Sequence, residues 1–249
     1  MSLVVFTDLD DTLFQTRRKL RGDEGPLVPA TVDTRGEAHS FCTPPQQALL
    51  RHFQASGMTV IPVTGRDQAA MNRVTLPFTS WRVLDHGATI LGPDGQIDEE
   101  WAAHVRSTLR ALTEALTHCT EGVQALAASL GCRVRVHQAH GEHLMSVAKH
   151  PDAHAQALAQ VQAFWETQAQ GSELQVIANA NNVTVLPRSP GKAQAVRYLL
   201  ERHLPDASLT LGIGDSVSDL GFMNACHFAV TPPGGQLMRA ATDARLPQR

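Results

Sequence analysis

The chain has 249 residues, 43% of them hydrophobic, and carries a formal net charge of −3 at pH 7. So many apolar residues can build one large domain or two small ones, which excludes a disordered protein. The negative balance leaves no excess of Lys and Arg to neutralise a phosphate backbone, so no nucleic-acid partner is expected. Apolar runs are only a few residues long, far below the roughly 20 that cross a bilayer, so no membrane partner is expected either.

The cysteines and histidines indicate a reducing compartment and no histidine-bound metal. The four cysteines show no CxxC spacing and are too sparse for a disulfide framework. Reduced thiols are typical of the cytoplasm, and the N-terminus lacks the basic and apolar regions of an export signal, so we expect a cytoplasmic protein. The twelve histidines are scattered along the chain.

In chain order, short apolar runs end in polar turns, which is the pattern of buried parallel strands. These predicted strands cover residues 3–7, 59–64, 208–212 and 227–230. The predicted helices between them cover residues 44–57, 191–203 and 219–225. The alternation of strand, loop and helix predicts a parallel sheet with helices on both faces.

Residues 16–43 lie between the first strand and its helix and begin with the basic run Arg17-Arg18-Lys19. A hairpin turning at Arg35-Gly36 is possible within this segment. A connection of this length is usually a functional flap or a disordered loop, and the sequence does not decide between them.

The middle of the chain has a different pattern. It predicts two helices over 101–130 with a break near Gly122, a hairpin of 132–138 and 143–148, a helix over 153–170, and a hairpin of 175–179 and 182–186. This order predicts an α+β module with an antiparallel sheet, inserted between two strands of the parallel sheet. We expect a core domain of residues 1–84 and 188–249 and an inserted domain of residues 85–187.

Carboxylates follow the first and third predicted strands. Asp8 and Asp10 lie in the sequence DLDDT at the end of the first, and Asp215 and Asp219 lie in GDSVSD after the third. Ligands bind at the carboxyl edge of such sheets, although an acidic loop that caps a helix fits DLDDT equally well. Asp8 and Asp215 could together bind Mg²⁺, which prefers oxygen ligands.

Two further polar signals accompany these carboxylates. Thr64-Gly65-Arg66 follows the second strand and offers a hydroxyl and backbone N–H groups for phosphate oxygens. Lys192 begins a predicted helix and offers a cation. A lone lysine is usually solvated, but the order Asp, Thr, Lys, Asp at the ends of strands and helices favours a single site.

The segments DLDDT, VTGR, Lys192 and GDSVSD resemble the four motifs of the haloacid dehalogenase superfamily, over residues 1–84 and 188–249. The inserted domain is similar to the type IIB cap of sucrose-phosphate, trehalose-phosphate and mannosyl-phosphoglycerate phosphatases and of Cof-like sugar phosphatases. The resemblance implies a Rossmann-like core with an α+β cap. It also implies a Mg²⁺-dependent phosphatase acting on a small phosphorylated metabolite, with a sugar phosphate as the expected substrate.

The same resemblance implies residue roles. Asp8 is the expected nucleophile, Asp10 the acid and base, and Thr64 and Lys192 the groups that hold the phosphoryl group. The implied Mg²⁺ ligands are Asp8, the Asp10 backbone carbonyl, Asp215 and Asp219, the last of them directly or indirectly. Asp11 departs from the glycine common at this position in Cof-like members.

Substrate-binding residues are expected beside the phosphate loop and on the inserted hairpins. Gly65 belongs to the loop, and Arg66 either touches the substrate or ties the cap to the core. The candidates on or beside the hairpins are Arg133, Arg135, His137, His143, Lys149, Asn179 and Asn181. For each of these the alternative is a solvated outer face, because alternation turns half of any strand outward.

Two other functions remain open at this stage. A phosphomutase would use the same four motifs but return the phosphoryl group to its substrate. A catalytically silent binding or regulatory protein would keep the fold alone. Oligomeric state is not determined by the sequence, and a monomer or a small homo-oligomer is expected.

Overall fold

The computed structural model describes residues 2–179 and 181–243; residue 1, Ala180 and residues 244–249, all within the predicted domains, lie outside these ranges. The chain forms two compact units. The first comprises the residues up to Asp98 and those from Lys192 onward, and the second is Glu99–Gly191.

The elements of each unit follow in chain order. The first unit begins with β1 (Ser2–Thr7), β2 (Gln15–Thr16), β3 (Val28–Val32), β4 (Ala38–Cys42), α1 (Pro44–Ala55), β5 (Thr59–Pro62), α2 (Gln68–Met71), β6 (Arg82–Leu84) and β7 (Thr89–Leu91). The second unit contains α3 (Glu99–Ser129), β8 (Arg133–Ala139), β9 (Glu142–Lys149), α4 (Ala155–Ala169), β10 (Leu174–Asn179) and β11 (Asn182–Pro187). The first unit then continues with α5 (Lys192–Arg202), β12 (Ala207–Ile213), α6 (Leu220–Met223), β13 (Phe228–Val230) and α7 (Gln236–Asp243).

The main sheet of the first unit is parallel and has the strand order β13-β12-β1-β5. The side chains of Val4, Val5 and Phe6 in β1 are fully buried, as expected for a central strand covered on both faces. Thr7 pairs with Ile213 of β12 and with Pro62 of β5, so the chain leaves all three strands at one edge of the sheet. The predicted α/β core is confirmed, and its carboxyl edge receives the three motif loops.

Helix α1 begins at Pro44, as predicted. Thr43 and Gln46 form a capping box, and a proline in the first turn costs no hydrogen bond there. Phe53 of this helix packs against Val5 of β1 in a small apolar cluster. The helix is therefore fixed against the sheet by both its cap and its apolar face.

Residues 16–43, here called the flap, contain strands β3 and β4, which argues against a disordered loop. They contribute to an antiparallel sheet of order β2-β4-β3, and the predicted turn joins β3 to β4 with Gly36 at a φ of 85°. Cys42 of β4 is buried in an apolar cluster with Leu9 and Phe14, which follow β1. This packing anchors the flap to the loop that carries Asp8 and Asp10.

The β6–β7 hairpin was not predicted, and it moves the domain boundary. Val83 of β6 pairs in parallel with Val63, just after β5, so the hairpin extends the first unit. Asp98, further along, accepts a hydrogen bond from Tyr198 of α5 at 2.9 Å and one from His203, just after that helix, at 2.8 Å. The boundary between compact units therefore follows Asp98, whereas the sequence placed it after Leu84.

The second unit has the predicted order of helix, hairpin, helix and hairpin, with an antiparallel sheet of order β10-β11-β9-β8. The predicted break near Gly122 is wrong, because α3 is one helix of 31 residues. Tertiary packing outweighs the weak helix propensity of glycine here. Trp165 of α4, fully buried in the core between helices and sheet, donates a hydrogen bond to the Cys119 carbonyl of α3 at 2.9 Å.

No helix within residues 2–179 and 181–243 is both long and apolar enough to cross a membrane.

Candidate active site

Lys192 lies between two carboxylates at the carboxyl edge of the main sheet. Its Nζ donates to Asp8 Oδ1 at 2.8 Å and to Asp219 Oδ1 at 2.7 Å. The Lys192 side chain is 7% exposed and that of Asp219 is fully buried. Three residues from three of the predicted motifs thus form one buried ionic cluster.

Asp219 is held from both of its oxygens. Oδ1 accepts from Lys192, and Oδ2 accepts from the backbone N–H and the hydroxyl of Ser216 at 3.0 and 2.7 Å. Gly214 lies against the same side chain, since a Cβ there would stand 2.5 Å from the Asp219 Cβ. Because Asp219 is held in this way, it can orient the Lys192 ammonium.

Thr12 links the carboxylates of two strand ends. Its hydroxyl lies 3.3 Å from Asp8 Oδ2 and 3.5 Å from Asp215 Oδ1. The sequence analysis quoted Thr12 within DLDDT but gave it no role. Its position four residues after Asp8, within the same motif, was the available signal.

The carboxylates of Asp8, Asp215 and Asp219 each place an oxygen within 4.8 Å of the others. Such a set of hard oxygen donors fits Mg²⁺, which binds to one or two carboxylates while keeping several waters. Three carboxylates repel one another, and a single lysine does not balance their charge. A bound divalent cation would therefore be favoured. The residues present therefore fit the predicted metal.

Burial and the contacts between charged groups together set the pKa values of the site. Burial raises the pKa of Asp8 to about 8 against the lowering effect of Lys192, and the charge of Asp219 adds to the rise. Burial, followed by the charges of Asp219 and Asp11, raises the pKa of Asp215 to about 6. Burial would lower the pKa of Lys192, but Asp8 and Asp219 together raise it above its ordinary value. Such displaced pKa values are typical of functional sites.

Asp10 lies beside this cluster and is paired with Arg66. Arg66 Nε and Nη2 donate to its two carboxylate oxygens, each at 2.7 Å. The Asp10 side chain is 50% exposed. Of the residues expected near the substrate, Arg66 is thus joined to the predicted acid and base.

The loop of Thr64 and Gly65, which is predicted to bind phosphate, packs against a turn at residues 85–87. Thr64 is buried, and a Cβ on Gly65 would lie 2.4 Å from His86 Nε2, so only glycine allows the His86 ring this position. Asp85, His86 and Gly87 have φ values of 53, 56 and 104°. A left-handed conformation costs on the order of 1–3 kcal/mol for a non-glycine residue, and it is typical of functional sites.

The flap contacts the loop that follows β1 through an ion pair between Lys19 and Asp11. Asp11 has a φ of 65°, a conformation that glycine adopts freely and aspartate tolerates better than most residues. The charge of Lys19 opposes the rise in the pKa of Asp215, so it reaches the carboxylate cluster. The aspartate that departs from the Cof-like glycine therefore connects the basic run to the site.

The candidates in the second unit occupy different places in and beside its sheet. Lys149 pairs with Arg133 and Asn182, and Asn179 pairs with Asn182, so the four form a polar row across the sheet. Asn181 lies in the adjoining turn, where its carbonyl accepts from His150 at 3.3 Å. On β8, Arg135 is exposed and His137 is half-buried. His143 instead bonds to buried Ser146, which contacts Thr120 of α3.

A family model described as Sucrose-6F-phosphate phosphohydrolase matches residues 1–231. The match includes all four motif segments, and the resemblance to haloacid dehalogenase phosphatases is confirmed. No curated protein matches the chain significantly in sequence.

Solved structures share the fold. The sucrose-phosphatase of Synechocystis sp. PCC6803, in complex with sucrose and phosphate, has a TM-score of 0.58 and 19% identity over 98% of this chain and 89% of that chain. A Thermoplasma acidophilum protein has a TM-score of 0.59 and 15% identity, covering 96% and 89%. The C-terminal domain of C. albicans trehalose-6-phosphate phosphatase has a TM-score of 0.55 and 15% identity, covering 90% and 73%. These likenesses support the Rossmann-like α/β core.

Proposed function

We propose, from the premise that the chain belongs to the sucrose-6F-phosphate phosphohydrolase family and is a phosphoric monoester hydrolase, that it hydrolyses a small sugar phosphate through an aspartyl-phosphate intermediate with the help of Mg²⁺. The contact of Lys192 Nζ with Asp8 Oδ1 at 2.8 Å carries this proposal. The carboxylate that we propose as the nucleophile lies beside a cation, and both are buried. Phosphoryl transfer depends on such positioning and on charge neutralisation more than on other covalent chemistry.

Asp8 would act in two steps. One of its oxygens attacks phosphorus, the phosphorus–oxygen ester bond breaks, and Asp10 gives its proton to the leaving alcohol. A water molecule then loses a proton to Asp10 and attacks the same phosphorus, which releases phosphate and regenerates the Asp8 carboxylate. One residue can serve as acid and then as base because it changes protonation state between the steps.

The oxygens of the transferring group need donors and positive charge. The Thr64 hydroxyl, the Gly65 backbone N–H and Lys192 would bind them. Asp8, Asp215 and the Asp10 backbone carbonyl would hold Mg²⁺, while Asp219, with both oxygens already bonded, would act through Lys192. When bound, Mg²⁺ supplies charge that neutralises the phosphoryl oxygens.

A phosphorylated disaccharide is the first substrate to test. The matching family model is described by sucrose-6F-phosphate, and among the structures that share the fold are a sucrose-phosphatase and a trehalose-6-phosphate phosphatase. Sucrose phosphate, trehalose phosphate and monosaccharide phosphates therefore form the natural comparison set.

The proposal is tested by measuring phosphate release from these esters and from p-nitrophenyl phosphate, with Mg²⁺ and after chelation. We expect Mg²⁺-dependent release, fastest with one of the sugar phosphates. A folded enzyme that releases no phosphate from any of these esters would contradict the proposal. Formation of an isomeric sugar phosphate without free phosphate would instead identify a mutase.

A further inference from the structure

Arg66 meets Asp10 in a two-point contact. Nε lies 2.7 Å from Asp10 Oδ2, and Nη2 lies 2.7 Å from Asp10 Oδ1. Parallel bonds between a guanidinium and a carboxylate fix orientation as well as distance, because both groups are planar. The plane in which the Asp10 carboxylate lies is therefore set by Arg66.

Arg66 is itself held by its surroundings. Its Nη1 donates to the Ala70 carbonyl at 3.3 Å, and its guanidinium lies 5.2 Å from the centre of the Phe14 ring. The Arg66 side chain is only 17% exposed, in contrast to 50% for Asp10. A packed arginine thus restrains a carboxylate that solvent could otherwise reorient.

The backbone of Arg66 is also anchored. Its N–H donates to Thr64 Oγ1 at 3.2 Å, and its carbonyl accepts from the Asp85 N–H at 2.9 Å. The left-handed turn at Asp85 and His86 thereby connects to the phosphate-binding loop and, through the guanidinium, to Asp10. Both the backbone and the side chain of Arg66 are therefore bonded to other groups of the protein.

We propose that Arg66 is a positioning residue that aims the Asp10 carboxylate for proton transfer, in place of a direct contact with the substrate. The inference rests on the proposed function, since it concerns the proton transfers assigned to Asp10. It replaces both roles that the sequence left open for Arg66, namely substrate contact and attachment of the cap.

Leaving-group dependence tests this assignment. An alkyl leaving group needs a proton from Asp10, whereas p-nitrophenolate departs without one. We expect Arg66→Gln to lower kcat for a sugar phosphate at least about tenfold, since general acid–base catalysis contributes about 10²–10⁴-fold. KM should change little, and the pre-steady-state burst of p-nitrophenolate should keep its rate. Arg51→Gln, at an exposed arginine that bonds only to Gln47 among the described contacts of its side chain, is the matched control.

A double-mutant cycle separates positioning from substrate contact. If Arg66 acts through Asp10, the variant D10N/R66Q should be no slower than D10N, because the two changes remove one shared function. The proposal would be overturned if the rate losses of the two single variants multiply in the double variant. A raised KM with an unchanged kcat in R66Q would also overturn it. Arg66→Lys keeps the charge but loses the two-point geometry. Its kcat for a sugar phosphate should therefore lie between those of the wild type and R66Q, and its comparison with the wild type still tests the proposal if R66Q folds poorly.

The two proposals fail in different ways. Absence of phosphatase activity in the wild-type enzyme would remove the proposed function. An active wild-type enzyme whose Arg66 variants lose only substrate affinity would remove the positioning role alone.

Discussion

The ammonium of Lys192 and the carboxylate of Asp8 are in direct contact at 2.8 Å, although 184 positions separate the two residues in the chain. The Lys192 side chain is 7% exposed, and a charge so deeply buried is tolerated only with close partners. The contact arises because β1 delivers Asp8 to the edge of the sheet and α5 begins at Lys192. It defines the centre from which the catalytic predictions follow.

Replacing Asp8 by Asn should lower kcat by several orders of magnitude, as loss of other covalent nucleophiles does. The amide cannot attack phosphorus, and Lys192 keeps its ion pair with Asp219 but loses the one with Asp8. Phosphate release from a sugar phosphate measures the effect. Asp206→Asn, at an exposed position, serves as the control. A D8N enzyme that retains more than about 1% of the wild-type kcat would exclude Asp8 as the nucleophile.

Replacing Asp215 by Asn should weaken Mg²⁺ binding at least about tenfold, because changes even beyond the direct ligands of a metal have effects of 10–100-fold. The affinity is read from the rise in thermal stability as Mg²⁺ is added, since a ligand that binds only the folded state stabilises it. The same titration after chelation gives the baseline. Equal Mg²⁺ affinity in D215N and the wild type would show that Asp215 is not a ligand.

Asp85 predicts a pH dependence of stability. Burial raises its pKa to about 6, above its ordinary value of 3.8, although a hydrogen bond from Thr89 acts in the opposite direction. Between these two values the folded state keeps a proton that the unfolded state has lost, so this contribution to the free energy of unfolding decreases as pH rises. The maximum size is on the order of 2–3 kcal/mol.

The variant Asp85→Asn isolates this contribution, since asparagine is uncharged and tolerates the left-handed conformation at φ 53°. Urea unfolding of both proteins between pH 4 and pH 6.5 is the measurement. The free energy of unfolding of the wild type should fall relative to that of D85N as pH increases. A constant difference between the two proteins would contradict the prediction.

Two glycine-to-alanine changes should have opposite signs. A Cβ on Gly122 in α3 would meet the Phe164 ring at 3.4 Å, an ordinary contact, so Gly122→Ala should stabilise by up to about 1 kcal/mol. A Cβ on Gly214 would lie 2.5 Å from the Asp219 Cβ, so Gly214→Ala should destabilise by about 1–3 kcal/mol and lower kcat. Urea unfolding and phosphate release are measured for both variants. A change in the free energy of unfolding that has the same sign in both would contradict the prediction.

Lys149 and Asn179 provide a test of the predicted substrate-selecting cap. Replacement of either by alanine should change KM or the preferred sugar phosphate, with a smaller effect on p-nitrophenyl phosphate, which lacks the sugar. Glu166→Ala on an exposed position of α4 is the control. If the inserted hairpins bind the substrate, the substrate profile must change, and an unaltered profile in both variants would contradict that expectation.

Much of the fold was predictable because its signals are local. The apolar run of β1 and the capping residues of α1 are read within a few positions, and both elements begin close to where they were expected. The break at Gly122 failed for the opposite reason, since contacts across the second unit carry α3 through that glycine. The short β6–β7 hairpin was missed because three-residue strands carry almost no periodic signal.

The amino-acid sequence by itself determined the alternation of strands and helices, the inserted α+β segment and the order of the four motifs, because these depend on periodicity and on the residues that end each element. Only the tertiary structure decided that Lys192 bridges Asp8 and Asp219. The same is true of the ion pair between Arg66 and Asp10 and of the packing of His86 on Gly65. Those pairings depend on strand order, register and packing, which bring together side chains that no local pattern connects.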